Sequence, residues 1–344
     1  EKIGPTGPVL MDFYSTVVVF DHVRHEILVM SHESQRKVDE LFEKLKAATV
    51  PFLVSGYDKV ELNGTYIFPN SNFSSREFES AVERAKEYIA AGDIFQVVLS
   101  QRFEVDYTGN LFNVYRALRF VNPSPYMFFL KHGDFCITGS SPEMLVRVQG
   151  DNIQYRPIAG TRRRGKQRTE ERKLERELMR DEKERAEHLM LVDLGRNDLG
   201  RVSRYGSVKV DGLMFLEKYS HVMHLVSSLS GRLKPELNRF DVLEACFPAG
   251  TVTGAPKVRA MEIIEELEPS HRGIYAGAVG YLDYSGNLDT CITIRTLVIS
   301  HGKAYIQAGA GIVADSVPEL ENKECRNKAL ALLKALQLAE ALSA

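Results

Sequence analysis

The chain has 344 residues, with 44 Lys and Arg against 46 Asp and Glu, a net charge of −2. With 44% apolar and 26% charged residues, it matches an ordinary globular composition, which excludes general disorder. The near balance of charge disfavours nucleic acid as the main partner, and no apolar run approaches the ~20 residues of a membrane helix. At ~150 residues per domain, about two domains or one large interlocked one are expected. No signal peptide opens the chain, and Cys136, Cys246, Cys291 and Cys325 are dispersed without disulfide or zinc spacing. A soluble, cytoplasmic protein with reduced thiols is expected.

In chain order, β-branched runs at Ser15–Phe20 and Glu26–Met30 predict strands, and a helix follows from His32 to Ala48. The polar, turn-rich stretch Phe68–Ser75 is the boundary candidate, dividing residues 1–70, the remnant of an N-terminal region, from a catalytic domain at 71–344. Because the sequence starts at Glu1 and enters a strand almost at once, it reads as a piece of something longer. Ser74 and Glu77 have capping-box spacing ahead of a helix that Gly92 stops. Strands are predicted at Phe95–Phe103, Tyr126–Leu130, Phe135–Gly139, Met144–Val148 and Ile153–Pro157. A highly charged helix is expected over Thr169–Leu191, then strands near Ser207–Val210 and Tyr219–Ser227. Helices at Arg239–Cys246 and Pro256–Leu267 precede strands at Tyr275–Asp283, Thr290–Ile299 and Lys303–Gly309. Ser316, Pro318 and Glu319 announce a last helix running to about Leu342. Few single helices separate single strands, so an α+β fold with large antiparallel or mixed sheets is expected.

Several chemistries are disfavoured. The stretch Gly250 to Lys257 lacks the lysine spacing of a phosphate loop, His221 and His224 are not a zincin pair, and no nucleophile elbow occurs. The basic run Arg162 to Arg168 is followed at once by Glu170, Glu171, Glu175 and Glu177, which predicts charge pairing rather than an RNA patch. Glu321 and Glu324 share a helix face, and Glu187 ends the charged helix. Such carboxylates either gather a hard cation such as Mg²⁺ or are solvated. Gly309-Ala310-Gly311 either offers backbone N–H groups to an anion or makes a tight turn. Arg295, among apolar neighbours on its strand, either faces inward and needs an anionic partner or is solvated.

Five separated strings, in one order, carry a resemblance: Pro157 to Arg162, Glu187 to Arg201, His221 to Ser227, Gly250 to Met261, and Gln307 to Ser316 with Glu324 to Lys328. Over residues 70–344 the chain resembles the chorismate-utilising enzymes, most closely the members that form anthranilate. The resemblance implies a four-layer α/β/β/α core with orthogonally packed, largely antiparallel sheets. It also implies Mg²⁺-dependent amination of chorismate to anthranilate and pyruvate, in tryptophan biosynthesis. By the same resemblance, Glu187 and Glu324, supported by Glu321, look like the metal ligands. Gly160, Thr161, Thr251 and the backbone of Gly309, Ala310 and Gly311 look like the groups that hold the ring. Tyr275 and Arg295 resemble the grip on the enolpyruvyl carboxylate, Glu143 the general acid at the C4 hydroxyl, and His224 the histidine of the aromatising step. Relatives that use a lysine nucleophile or base carry it where this chain has Ala159 or Gln96, so ammonia itself is the expected C2 nucleophile. Aminodeoxyisochorismate synthase and aminodeoxychorismate synthase activities are the alternatives. No cysteine lies in a glutaminase-like turn, so a glutamine amidotransferase partner is expected to supply the ammonia. Pro125, Tyr126 and Met127 resemble part of a tryptophan inhibitor site, whose other half belongs to an upstream segment.

Overall fold

In the computed structural model, residues 9–47, 68–165, 167–219 and 222–342 are described. They fall into two compact units. The smaller holds a hairpin of β1 (Thr16–Asp21) and β2 (Glu26–Ser31), then α1 (Gln35–Ala47). Its turn is held by Asp21, whose Oδ1 accepts the N–H groups of Val23 and Arg24, both at 2.9 Å.

The larger unit begins with β3 (Asn70–Ser71) and α2 (Ser75–Ala90). Ser74 and Glu77 form the expected reciprocal cap there, at 3.2 and 2.8 Å. It continues through β4 (Gln96–Asp106), α3 (Leu111–Val121), β5 (Tyr126–His132), β6 (Phe135–Ser141), β7 (Met144–Gln149), β8 (Asn152–Tyr155) and β9 (Ile158–Arg163). Next come α4 (Arg168–Arg180), α5 (Glu182–Val202), β10 (Lys209–Lys218), β11 (Val222–Arg232), α6 (Arg239–Cys246), β12 (Gly254–Ala255) and α7 (Lys257–Leu267). Last are β13 (Ala278–Leu282), β14 (Leu288–Ile292), β15 (Thr296–Ser300), β16 (Lys303–Ile312) and α8 (Pro318–Ala341).

The strands build two seven-stranded sheets. One runs β12-β4-β16-β15-β6-β5 with β3 beside β4; the other runs β10-β11-β8-β7-β14-β13 with β9 on β11. Every strand pairing among the described residues is antiparallel, so the fold is α+β, as expected. Period-2 alternation gives each sheet one helix-covered face. On the first sheet, Val97, Leu99, Ala310 and Ile312 pack with Phe78, Val82 and Ala85 of α2, Ala260, Ile263 and Ile264 of α7, and Cys325 of α8. On the second, Val148, Ile153 and Tyr155 pack with Val192, Leu199 and Val202 of α5 and with Val242 and Cys246 of α6. This burial is the main stabilising term.

The chain passes between the sheets at two places that matter for function. Pro142 and Glu143 carry it from β6 to β7, and Thr293 to Arg295 carry it from β14 to β15. The continuous strand expected over Thr290–Ile299 is therefore broken, and Arg295 takes a left-handed φ of 51° at the break. Three bonds bind the two crossings together: Ile292 N–H to Glu143 O (3.0 Å), Ser140 N–H to Arg295 O (3.1 Å) and Ser141 Oγ–H to Ile292 O (2.7 Å).

Other expectations are corrected locally. The charged helix predicted over Thr169–Leu191 is two helices, because Asp181 leaves helical geometry and caps α5 through Glu184 N–H at 3.1 Å. The basic run is charge-paired, with Arg162 on Asp181 (2.8 Å) and Glu184 (2.9 Å), Arg163 on Glu170, and Arg164 on Glu171 (2.9 Å). Ser316 does not cap α8; its buried hydroxyl accepts the Val313 N–H at 3.0 Å, and the helix opens on Pro318. Tyr275 lies in the turn before β13 rather than on the strand.

Candidate active site

Glu143 is 7% exposed at the β6–β7 crossing. Burial pushes its carboxyl up to about 8, against weaker opposing effects of the Ile158 N–H, the Thr251 hydroxyl and Lys328. Thr251 Oγ1 is itself buried and approaches that carboxyl without a well-formed hydrogen bond. A carboxylic acid that keeps its proton at neutral pH is equipped to donate it.

Arg295, at the other crossing, is set deep among its neighbours, which lowers its pKa; Tyr275 and Glu324 oppose that effect. Among the described residues its guanidinium makes no hydrogen bond or ion pair. A half-buried guanidinium with no ion-pair partner is free to take a ligand carboxylate bidentately.

His224 on β11 stands opposite Thr161 on β9, where the ladder slips by one residue. The slipped residue is Gly160, at φ 62°, where a Cβ would meet Glu184 Oε2 and Leu178 Cδ1 at 3.0 Å each. The bulge turns the Gly160 carbonyl onto His224 Nδ1 at 3.0 Å, with Thr161 Oγ1 at 3.1 Å. A carbonyl only accepts, so Nδ1 carries the proton and Nε2 is left with its lone pair. Burial lowers the imidazole pKa, and the charge of Arg295 adds to the effect, so the ring is a neutral base.

Gly309 and Gly311 lie on the face of β16 opposite its core residues. A Cβ at Gly309 would meet Tyr275 Oη at 2.8 Å, and one at Gly311 would meet Gln96 Nε2 at 2.6 Å. Side chains are excluded there by close approach. The Ala310 methyl turns the other way, into the core.

Gln96 Nε2 donates to Glu187 Oε1 at 3.3 Å. Glu187 is raised by burial, then by Glu184 and Glu324; Glu321 is raised by burial, then by Glu324. Glu324 is ion-paired to Lys328 at 2.7 Å, and Lys328 Nζ also donates to Gly309 O at 2.8 Å. Among the described residues no three His, Cys, Asp or Glu side chains group as a metal cage. Mg²⁺ does not need one: it is commonly held by one or two carboxylates, with substrate oxygens and water completing its shell. The mutually repelling Glu187 and Glu324, both hard oxygen donors, fit that pattern.

The structure thus joins Glu143, Thr251, His224, Gly160, Thr161, Tyr275, Arg295, Gly309 and Gly311 to the carboxylates of α5 and α8 through shared contacts and fields. Sequence reading left Lys328 without a role, although its i+4 spacing from Glu324 was a signal. A pocket of about 320 Å³ is lined by Pro125 and Tyr126 with Arg147, Arg156, Glu217 and Asp289, and it adjoins the site through Pro142 and Met144 on either side of Glu143 and through Tyr219, whose ring lies 5.5 Å from that of His224. Tyr126 Oη donates to Asp289 at 3.0 Å, and Arg147 pairs with Asp289 at 2.7 Å. Met127 alternates away from this lining. His221 lies outside the described residues.

Residues 4–334 match the family of chorismate-binding enzymes, and the chain belongs to that family. Within it, the chain is 52% identical over 340 residues to anthranilate synthase component 1 of Acetivibrio thermocellus, covering 94% of this chain and 68% of the relative. It is 49% identical over 342 residues to the same component of Pseudomonas aeruginosa, covering 96% and 69%. The crystal structure of anthranilate synthase component I from Streptococcus pneumoniae superposes with a TM-score of 0.82 at 44% identity, covering 93% of this chain and 72% of that one. The menaquinone-specific isochorismate synthase of Escherichia coli follows at 0.72 and 26% identity, covering 90% and 72%. The chain is accordingly an enzyme of the chorismate-binding class, with the anthranilate-forming branch as its kin. No described helix is long and apolar enough to cross a membrane.

Proposed function

We propose that this chain is the aminating component of a cytoplasmic anthranilate synthase, converting chorismate and ammonia to anthranilate, pyruvate and water. The observation that carries the reading is the pairing of an unpartnered guanidinium with a buried, protonated carboxyl at two hydrogen-bonded strand crossings. Chorismate is a dianion, and Arg295 with Tyr275 is suited to hold its enolpyruvyl carboxylate. Mg²⁺, when bound, neutralises the ring carboxylate; Glu187 and Glu324 would hold it, with Glu321 in support. Gly160, Thr161, Thr251 and the Gly309–Gly311 backbone flank the ring.

Glu143 gives its proton to the C4 hydroxyl, which leaves as water while ammonia adds at C2 and the ring double bonds shift. Neutral His224, with Nε2 free, then takes the C2 proton; the C2–H electron pair completes the aromatic ring as the C3–O bond breaks, and the departing enolpyruvate takes up a proton at its methylene carbon to become pyruvate. The source of ammonia is a glutamine amidotransferase subunit. All four cysteines are buried, and burial raises their thiols, Cys136 to about 11 and the others to about 12, so none is a ready thiolate nucleophile. The Pro125–Tyr126 pocket, with cations and carboxylates side by side, suits an amino-acid zwitterion such as tryptophan acting as inhibitor.

The test is product analysis with chorismate, Mg²⁺ and high ammonium. Fluorescent anthranilate is expected, and tryptophan titrated into the same assay tests the Pro125–Tyr126 pocket. A product that keeps its enolpyruvyl group would move the chain to an aminodeoxyisochorismate or aminodeoxychorismate synthase, and no product from folded protein would end the proposal.

A further inference from the structure

Glu187 and His188 are consecutive on α5 but serve different neighbours. Glu187 meets Gln96 in the site, whereas His188 is fully buried, with Nε2 2.6 Å from Ser227 Oγ on β11. Ser227 stands three residues beyond His224 on the same strand. Its Oγ also accepts the Met214 N–H at 2.9 Å, from the part of β10 where the register slips between Gly212 and Phe215. That bond uses an acceptor lone pair and leaves the hydroxyl hydrogen to point at His188 Nε2. The ring proton then sits on Nδ1, which is buried without a partner. The opposite tautomer would strand both the hydroxyl hydrogen and Nδ1, two orphans in place of one.

A phenylalanine or leucine would avoid the orphaned ring N–H but would leave the Ser227 hydroxyl hydrogen without its acceptor, so the imidazole is matched to Ser227 rather than to packing alone. Elsewhere α5 is held by apolar packing through Val192, Leu199 and Val202 and by the ion pairs Asp198–Lys257 (2.8 Å) and Glu184–Arg162 (2.9 Å), neither of which engages β11. The short buried His188–Ser227 hydrogen bond ties the helix to β11, the strand that carries His224. We propose that the His188–Ser227 bond is a strut that sets the Glu187 carboxylate relative to His224, which makes His188 a positioning residue for the cation-holding and proton-abstracting ends of the site together. This rests on the reading of Glu187 given above.

The experiment compares wild type with Ser227→Ala, His188→Phe and His188→Gln, all in the full chain with ammonium as nitrogen source. Mg²⁺ affinity is read by calorimetry, and the ratio of aminated intermediate to anthranilate by mass. Ser227→Ala and His188→Phe are expected to raise the Mg²⁺ Kd about tenfold, the usual cost of losing support behind a ligand, and to release more intermediate. His188→Gln keeps an acceptor for the Ser227 hydroxyl and should restore both readouts toward wild type. Unchanged Kd and product ratio in folded Ser227→Ala would overturn the strut, as would failure of His188→Gln to restore them; Ser227→Ala decides alone if His188→Phe does not fold. Wild type that binds no Mg²⁺ would overturn the assignment of Glu187 instead.

Discussion

Replacing Glu143 by Gln removes a proton-binding group while keeping its shape, and the structure sets the size of the effect. In the unfolded chain the carboxyl titrates near 4.5, and in the fold at about 8. Between those values the native state holds a proton that the unfolded state has released, so the contribution of Glu143 to stability falls as pH rises. The slope is about 1.4 kcal/mol per pH unit, which accumulates to about 3 kcal/mol at pH 7 and about 5 above pH 8. Glutamine cannot ionise and escapes this loss. Urea unfolding of both proteins from pH 5 to 9 should show near equality at pH 5 and a growing advantage for Glu143→Gln up to pH 8, flat beyond. Its activity should move the other way, falling by about 10²–10⁴-fold for want of the acid. The wild-type rate should decline as pH passes through about 8, and the variant's residual rate should lack that limb. A stability difference that stays constant from pH 5 to 9 would refute the buried, protonated state on which the acid role depends.

His224→Met should leave amination largely intact and block aromatisation, so mass analysis should find the aminated, non-aromatic intermediate accumulating. Arg295→Gln should raise the KM for chorismate by about 10²-fold or more, reflecting the loss of a charge-assisted pair, as read from initial rates. Gly160→Ala forces a side chain onto a φ of 62° and into Glu184 and Leu178. A loss of about 1–3 kcal/mol is expected in denaturant unfolding, with kcat falling as the carbonyl that fixes His224 moves.

Much of this was legible in the sequence where local chemistry decides local structure. The Ser74–Glu77 cap is an example, its punctuation being unambiguous, whereas the strand expected to end at Gly309 runs on through Gly311 to Ile312, so the tight turn offered for Gly309-Ala310-Gly311 is not found. The misses have physical reasons. Thr290 to Ile299 contains no Gly, Pro or Asn, so nothing local marks the turn at Arg295; the sheet change that needs it is a tertiary event. Asp181 splits a charged helix whose sides look alike in sequence, and its role as a cap shows only once α5 docks. Helix α3 went unread although Val114, Ala117 and Leu118 sit on one buried face behind the Asn110 cap. The candidate site residues are proposed from their motifs, but the protonation of Glu143, the tautomer of His224 and the unpaired guanidinium of Arg295 arise from burial and cross-strand contacts, which spacing does not encode.

The mutual hydrogen bonding of the two sheet crossings has an evolutionary consequence. The proposed proton donor Glu143 and the proposed anion grip Arg295 sit on crossings fastened to each other, so drift at one drags the other along, and both are constrained as a unit. Ala159 on β9 and Gln96 on β4, where the resemblance places a lysine in relatives of other chemistry, sit on strands outside those crossings. A lineage can therefore change which nucleophile attacks the ring while departure of the hydroxyl and seating of the side arm stay as they were.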